Sequence, residues 1–564
     1  MKELNGSQMI SEALKEEGVK VVFGYPGGAA LNIFDETYKQ KYFTHILTRH
    51  EQAAVHAADG YARASGEVGV AFVTSGPGFT NAVTGLATAY SDSIPLVLIS
   101  GQVATSLIGT DAFQEIDAVG ISRSCVKHNY LVKDIDELPR ILKEAFYIAK
   151  TGRPGPVHID IPKDITAKTA KFEYPKEINM PTYKPTYKGN AKQIKKAIET
   201  INACSRPLLY IGGGAIASGA SEILRKFAKK TKIPAISTLM GLGVLSKDDE
   251  LNLGMAGMHG SYAANMAISE ADLIIALGAR FDDRITGKLD EFARSAKIIH
   301  VDIDPSSISK IVNAHFPIVG DLKGVLEEMY ERIEIKGDKF APWREVLNRY
   351  NDLYPLKFQD SDQILKPQWV VQKTAQIAGD EAIISTDVGQ HQMWVAQFYP
   401  FKNPRQLVTS GGQGTMGYGL PAAIGAKWAM SDKPVINFTG DGSILMNIQE
   451  LIVSAIGKKP VVNIILNNNF LGMVRQWQTF FYEERYSQTD LSFQPDFVKL
   501  AESLGGIGFR VKTKDEFENA LKQALKSEKP SLIDVVVDRF ENVLPMVPAG
   551  AAIYNMILDD KGQR

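Results

Sequence analysis

Along the whole chain, short unbroken apolar runs alternate with longer stretches whose apolar residues recur at helical spacing. "VVFG", "VAFV", "LVLIS", "PLLYI", "LIIAL", "KIIHV", "VINF" and "VVNIIL" are rich in Val and Ile and carry almost no polar residue. Continuous runs of this kind predict strands buried on both faces, and the helical stretches between them supply the crossovers that parallel strands require. The pattern therefore predicts an α/β protein of parallel sheets flanked by helices. Two polar, proline-bearing stretches interrupt it: "YPKEINMPTYKPTYKGNA" (Tyr174 to Ala191) and "YPLKFQDSDQILKP" (Tyr354 to Pro367). They divide the chain into domains over 1–173, 191–340 and 365–548, with a tail over 549–564, each domain of ordinary size.

The first and third domains share a layout. "VAFVTSGPGFTNAVTGLATAYSDSIPLVLIS" and "VINFTGDGSILMNIQELIVSAIGKKPVVNIIL" both run strand, Gly-rich turn, helix, proline, strand. Gly78 precedes Pro95 by 17 positions and Gly442 precedes Pro460 by 18. Two related sheets, with a ligand shared between them, are expected.

Composition narrows the partners. The 564 residues carry 63 Lys and Arg against 64 Asp and Glu, a formal net charge of −1, which gives no long-range pull on nucleic acid or an anionic membrane. No apolar run approaches the ~20 residues that span a bilayer. The start runs straight into a helical pattern with neither secretion-signal nor transit-peptide character. Cys125 and Cys204, the two cysteines, offer no disulfide framework or zinc set. A cytoplasmic location is expected.

The chemistry concentrates in "GDGSILMN" (Gly440 to Asn447). Gly-Asp-Gly alone is a turn. Here it follows the strand "PVINF", so Asp441 sits at a carboxyl strand end, where open α/β sheets bind ligands, and a helix from about Met446 to Ile456 is expected next. The next strand, "VVNIIL", ends in Asn467–Asn469, 24 residues beyond the Gly-Asp-Gly. A right-handed βαβ unit brings both strand ends to one edge. Asp441, Asn468 and a main-chain carbonyl at Phe470 would then form an oxygen-only site, suited to Mg²⁺ completed by diphosphate oxygens and water.

Gly-Asp-Gly, this gap and Asn-Asn resemble the thiamin diphosphate (ThDP) enzymes. "RHEQAAVHAADGYARASG", "TSGPGFTNAVTGLATAYSDSIPL", "SGQVATSLIGTDAFQEID", "GARFDDRITGK" and "GMVRQWQTFFYEERYS" are similar to catalytic subunits of the biosynthetic acetohydroxyacid synthases, from Gly24 to about Pro548. The resemblance implies a pyrimidine domain, a central nucleotide-type FAD domain and a diphosphate domain. It implies that Glu51, otherwise a first-turn glutamate complementing its helix dipole, contacts N1′ of the cofactor's aminopyrimidine and promotes loss of the C2 proton. It places Gln390, Gly414, Met416, Gly442 and Ser443 around ThDP, with Met416 as the apolar prop that bends it. Because Glu51 and Asp441 lie in different domains, it also implies a cofactor bound between two chains: a homodimer or a dimer of dimers, commonly with a small regulatory subunit.

In the middle domain, "PLLYIGGGAIASG" lacks the GxGxxG spacing and is weak alone. The resemblance implies FAD along Arg153, Gly213, Gly214, Thr238, Met240, His259, Gly278, Arg280, Asp282, Asp302, Asp304 and Asp321, in a structural role. For substrate it implies Gly28, Phe113, Gln114, Lys163, Arg284, Met473 and Trp477, with Met258 and Asp283 in the same channel. Phe113–Gln114 stand where simple decarboxylases would carry paired histidines, and Arg284 is a candidate for an acceptor carboxylate. The implied reaction decarboxylates pyruvate on ThDP and transfers the hydroxyethyl unit to pyruvate or to 2-ketobutyrate, toward the branched-chain amino acids. A flavin-dependent pyruvate oxidase, a flavin-free catabolic acetolactate synthase and a non-catalytic relative are the alternatives. His45, His50, His128 and His391 read as ordinary.

Overall fold

The computed structural model describes residues 2–559. The unbroken apolar runs form three 6-stranded sheets, and within each the paired strands are parallel. The first contains, in chain order, Val21–Gly24, Thr44–Leu47, Gly69–Val73, Leu96–Gln102, His128–Leu131 and Pro156–Pro162. Its spatial order is second, first, third, fourth, sixth, fifth. The last sheet, Ile383–Thr386, Leu407–Val408, Val435–Gly440, Val462–Asn467, Ile507–Val511 and Ser531–Val536, has the same order. The likeness read from two βαβ units thus extends to the whole topology.

The middle sheet differs. Pro207–Ile211, Ala235–Ser237, Asn252–Met255, Leu273–Leu277, Lys297–Asp302 and Phe316–Val319 are ordered third, second, first, fourth, fifth, sixth. That is the order of dinucleotide-binding sheets, with its switch point between the first and fourth strands. A two-stranded antiparallel pair, Lys2–Asn5 with Thr169–Phe172, ties the start of the first domain to its end.

The outer sheets meet through equivalent helices. Glu51–Ser65 and Gly419–Ala429 each follow the second strand of their sheet, and both are rich in Ala and Gly. A Cβ on Gly60 would lie 2.1 Å from the Ala422 carbonyl oxygen, and one on Gly425 would lie 1.8 Å from that of Ala57. Only glycine permits so close an approach of backbones. One apolar cluster consequently runs from Phe23 and Phe79 of the first sheet to Tyr418 and Ile465 of the last.

The helix expected over 446–456 is broken. Asp441–Ile444 is already helical, a 3₁₀ turn covers Ile448–Glu450, and the second helix is Leu451–Ile456. The break is at Asn447, whose side chain donates to the Gly417 carbonyl at 2.7 Å, a contact across 30 positions that no local pattern signals.

Candidate active site

In the last sheet the switch point lies between Ile383–Thr386 and Val435–Gly440, and each strand is followed at once by a buried aspartate, Asp387 and Asp441. Asp441 is 1 % exposed. Burial pushes its carboxyl up to about 7, against a hydrogen bond donated by the Gln494 amide to Oδ2. Asn468 is also buried; its Oδ1 accepts from the Phe470 N–H at 3.1 Å and its Nδ2 donates to Gln390 Oε1 at 3.1 Å. Gln390 Nε2 in turn donates to Gln476 Oε1 at 2.8 Å. The Gln390 side chain therefore sets the Asn468 amide.

A carboxylate held in so dry a place is relieved by a cation. The described residues contain no cluster of three or more His, Cys, Asp or Glu that could hold a metal by itself. Asp441 and Asn468 follow the paired strands Val435–Gly440 and Val462–Asn467, and their side-chain oxygens are of the hard kind that fits a Mg²⁺ completed by a main-chain carbonyl, a ligand and water.

His391, read as ordinary, belongs to this site. Its ring lies between two glycines: a Cβ on Gly389 would meet Cε1 at 2.8 Å and one on Gly440 would meet Nδ1 at 3.0 Å. Burial holds the imidazole neutral, down to about 3, and Nε2 is buried without a hydrogen-bond partner. An unpaired ring nitrogen in a dry site calls for a ligand or a water. Of the two glycines, only Gly389 is near His391 in sequence; Gly440 comes from another strand end, which no local pattern records.

Asp387 Oδ1 accepts the N–H groups of Val388 at 2.9 Å and Gly417 at 2.8 Å. It thereby fixes the end of the Gly-rich loop that carries Gly414 (φ +61°) and Met416. Gly442 and Ser443 lie in the short helix Asp441–Ile444, with Ser443 Oγ accepting from the Gly440 N–H at 3.2 Å.

In the first sheet the matching switch point holds Gly27 against Thr74, whose Cγ2 would be 2.5 Å from a Cβ on Gly27, while a Cβ on Gly28 would meet open space. Glu51 opens its helix; the His50 ring caps it by accepting from the Gln52 N–H at 3.1 Å. Glu51 Oε2 accepts from Asn81 Nδ2 at 3.0 Å, and Oε1 would be 3.5 Å from a Cβ on Gly78. Phe113 is 88 % exposed, and Gln114 takes φ +61° with its carbonyl against Gly76. Lys163 is exposed at the start of Lys163–Ala167.

At the middle sheet's switch point, Gly212 and Gly214 face Gly278, with a Cβ on Gly214 2.7 Å from the Gly278 Cα, and Gly213 faces Met240, whose Cβ would be 3.1 Å from one on Gly213. Thr238 Oγ1 and His259 Nδ1 are buried there without partners. Asp302 is pushed up to about 6 by burial, and Arg153 pairs with Asp304 at 3.4 Å. This glycine cradle with unpaired polar atoms fits a dinucleotide such as FAD. Asp282 and Asp321 also cap local helices, accepting from the N–H groups of Arg284 at 3.0 Å and Lys323 at 3.1 Å. Met240 reaches from this sheet to the loop before Met416: its Sδ would be 2.6 Å from a Cβ on Gly411.

Met473 and Trp477 lie one turn apart on Gly472–Phe481. Arg284 is exposed beside Asp283, 3.5 Å away. Among the described residues no hydrogen bond or ion pair joins Arg284 to Gln114, Lys163, Met473 or Trp477 of the same chain. The C-terminal segment runs past the Arg284 region: Val547 N–H donates to the Met258 carbonyl at 2.8 Å, and Ala551 packs on Gly287.

Models of the three domains of thiamine pyrophosphate enzymes match the chain: the N-terminal TPP-binding domain over residues 4–121, the central domain over 194–329 and the C-terminal TPP-binding domain over 387–535. The acetolactate synthase large subunit of Haemophilus influenzae is 49 % identical over 99 % of both chains. The acetolactate synthase isozyme 3 large subunit of Escherichia coli is 48 % identical, again over 99 % of each. The probable acetolactate synthase large subunit of Methanocaldococcus jannaschii is 50 % identical over 98 % of this chain and 95 % of its own. The chain belongs to the thiamine pyrophosphate enzymes and, within them, to the acetolactate synthase large-subunit family.

Proposed function

We propose that this chain is an acetohydroxyacid synthase. Pyruvate loses CO₂, and its two-carbon remainder joins a second pyruvate to give 2-acetolactate, or 2-ketobutyrate to give 2-aceto-2-hydroxybutyrate, in branched-chain amino-acid biosynthesis. The observation that carries this reading is the pair of like sheets: beside one, Glu51 stands against Gly78 and Asn81, and in the other the buried oxygen donors Asp441 and Asn468 follow neighbouring strands. One cofactor with a basic ring at one end and a diphosphate at the other needs both.

Bound thiamin diphosphate supplies the electron sink for decarboxylation. Asp441, Asn468 and the Phe470 carbonyl would hold the Mg²⁺, with His391, Gly442 and Ser443 alongside and Gln390 orienting Asn468. Glu51 holds and moves a proton at the aminopyrimidine nitrogen N1′, and Asn81 keeps its carboxylate in place. Gly414 and Met416 support the ring system. Gly28, Phe113, Gln114 and Lys163 border the substrate entrance; Met473, Trp477 and Arg284 bear on the acceptor.

Gly213, Gly214, Thr238 and Gly278 at the middle sheet would hold FAD in a structural role, since the reaction has no net redox step. The assembly is a homodimer or dimer of dimers joined by a small regulatory subunit, and the location is the cytoplasm; no helix among the described residues is long and apolar enough to cross a membrane.

The test is a product assay with pyruvate, with and without 2-ketobutyrate, on wild type and Glu51→Gln in ThDP and Mg²⁺. Acetohydroxyacids are expected from wild type, with Glu51→Gln slower by ~10²–10⁴-fold. Acetate or acetyl phosphate with flavin reduction would identify a pyruvate oxidase instead.

A further inference from the structure

The loop that carries Gly414 and Met416 is intrinsically loose. It contains Gly411, Gly412, Gly414 and Gly417, and the last two take φ +61° and +85°. Glycine loses more freedom on ordering than any other residue, so this loop needs external anchors to hold one position.

The anchors come from the first domain of the same chain. Asp92 closes the helix Pro77–Asp92, and its two carboxylate oxygens each take one loop amide: Oδ2 accepts from the Gly411 N–H at 2.9 Å and Oδ1 from the Gly412 N–H at 2.7 Å. Thr88, one turn earlier, hydrogen-bonds through Oγ1 to Thr415 Oγ1 at 2.7 Å. At the loop's far end the Tyr418 hydroxyl donates to Asp59 Oδ1 at 2.5 Å. Arg63 bridges the two aspartates, giving Nε to Asp59 at 2.6 Å and Nη2 to Asp92 at 2.8 Å. These three charged side chains are 4 % exposed or less. Gly412 has to be glycine, because a Cβ there would sit 2.7 Å from Ser91 Oγ and 3.0 Å from Asp92 Oδ1.

Two buried carboxylates and one guanidinium are a costly way to pack a core, and truncating one partner leaves the others unpaired. Yet Asp59 Oδ1 and both oxygens of Asp92 also accept from a loop that its own domain holds through Asp387 and Asn447, while Arg63 Nη1 is buried without a partner. We propose that Asp92, Arg63 and Asp59 are positioning residues that clamp the Gly411–Tyr418 loop and so set where Met416 meets the cofactor. The helix Glu51–Ser65 would thus present Glu51 at one end and hold the Met416 loop with Asp59 and Arg63 toward the other. The inference rests on the reading that Gly414 and Met416 flank thiamin diphosphate.

The test uses the full chain carrying Asp92→Ala, with Asp92→Asn, which keeps one acceptor oxygen, and Arg63→Lys as graded variants. Three quantities are read: amide hydrogen exchange over 410–418, the ThDP dissociation constant at saturating Mg²⁺, and the rate of C2-proton exchange on bound ThDP. For Asp92→Ala, exchange protection of 411–418 is expected to fall selectively. The ThDP dissociation constant should rise by ~10-fold or more, as for a lost supporting hydrogen-bond partner, while KM for pyruvate stays within about twofold. Asp92→Asn should fall between it and wild type. A variant whose loop loosens or whose melting point drops, but whose ThDP affinity and C2 exchange match wild type, overturns the clamp. Failure of wild type to bind ThDP overturns the cofactor reading itself and is distinct from that result.

Discussion

The buried carboxyl of Glu450 takes the backbone N–H of Arg49 on both oxygens, Oε1 at 3.0 Å and Oε2 at 3.1 Å. It joins the 3₁₀ turn after the Gly-Asp-Gly strand to the residues that lead into the Glu51 helix. Glu450 is 1 % exposed, and burial pushes its carboxyl from the ordinary 4.5 up to about 8, although the amides of Arg49 and His50 and the Arg49 charge pull the other way.

A proton is therefore kept in the folded protein over a window, from about 4.5 to about 8, in which the unfolded chain has released it. The stability from this group is complete below the lower value and is lost as pH rises through the upper one. Glu450→Gln keeps an acceptor oxygen and removes the titration. Its melting temperature should vary less than that of wild type between about pH 5 and about pH 9, by several degrees, since ~1 kcal/mol moves the midpoint of a large domain by ~2–4 °C. Parallel melting-temperature profiles for the two proteins would contradict this.

Gln494 donates to Asp441 Oδ2 and accepts from Asn467 Nδ2 at 2.9 Å; Asn467 also donates to Asp534 Oδ1 at 2.8 Å, and Asp534 Oδ2 accepts from Arg510 Nε at 2.8 Å. This relay starts at the sheet's edge strand and ends on the proposed metal ligand. Partners of this kind orient ligands and tune affinity by about 10–100-fold. Titrating ThDP-saturated Gln494→Ala with Mg²⁺ should give a dissociation constant about tenfold above wild type. Equal constants would remove Gln494 from the metal site.

Asn81 donates to Glu51 Oε2 at 3.0 Å. Freed of this bond, the carboxylate samples more rotamers, and the proton transfer it serves slows. Asn81→Ala should lower kcat by about tenfold with little change in KM, and Asn81→Ala/Glu51→Gln should be no slower than Glu51→Gln alone, because the two act as one unit. Additive losses in steady-state kinetics would mean that Asn81 acts elsewhere.

What the sequence discloses tracks the range of the interaction. Strands buried on both faces leave unbroken apolar runs, so the sheets were legible; that Asp441 and Asn468 follow neighbouring strands was legible because one βαβ unit joins them. His391 was not, because its surroundings are set by Gly389 and Gly440 on different strand ends. Glu450 and Asp92 were not, because their partners, Arg49 and Gly411, lie 401 and 319 positions away. The helix break at Asn447 was missed for the same reason. A side chain's long-range partner outweighs local propensity, and no period in the sequence records it.

Acceptor choice is the role proposed for Trp477. It is partly buried on Gly472–Phe481, edge to face with Phe481 at 5.4 Å, one turn beyond Met473, which packs on the third-domain core. Stacked edge to face on Phe481, the indole offers an apolar wall. Such a wall distinguishes acceptors that differ by one methylene by about 1–3 kcal/mol. Trp477→Leu removes the flat face while keeping an apolar side chain. In a competition assay with both 2-ketoacids present, the ratio of 2-aceto-2-hydroxybutyrate to 2-acetolactate should fall about tenfold or more, while the total rate changes less. An unchanged ratio would return Trp477 to a packing role and move the search for the acceptor pocket to Met473 and Arg284.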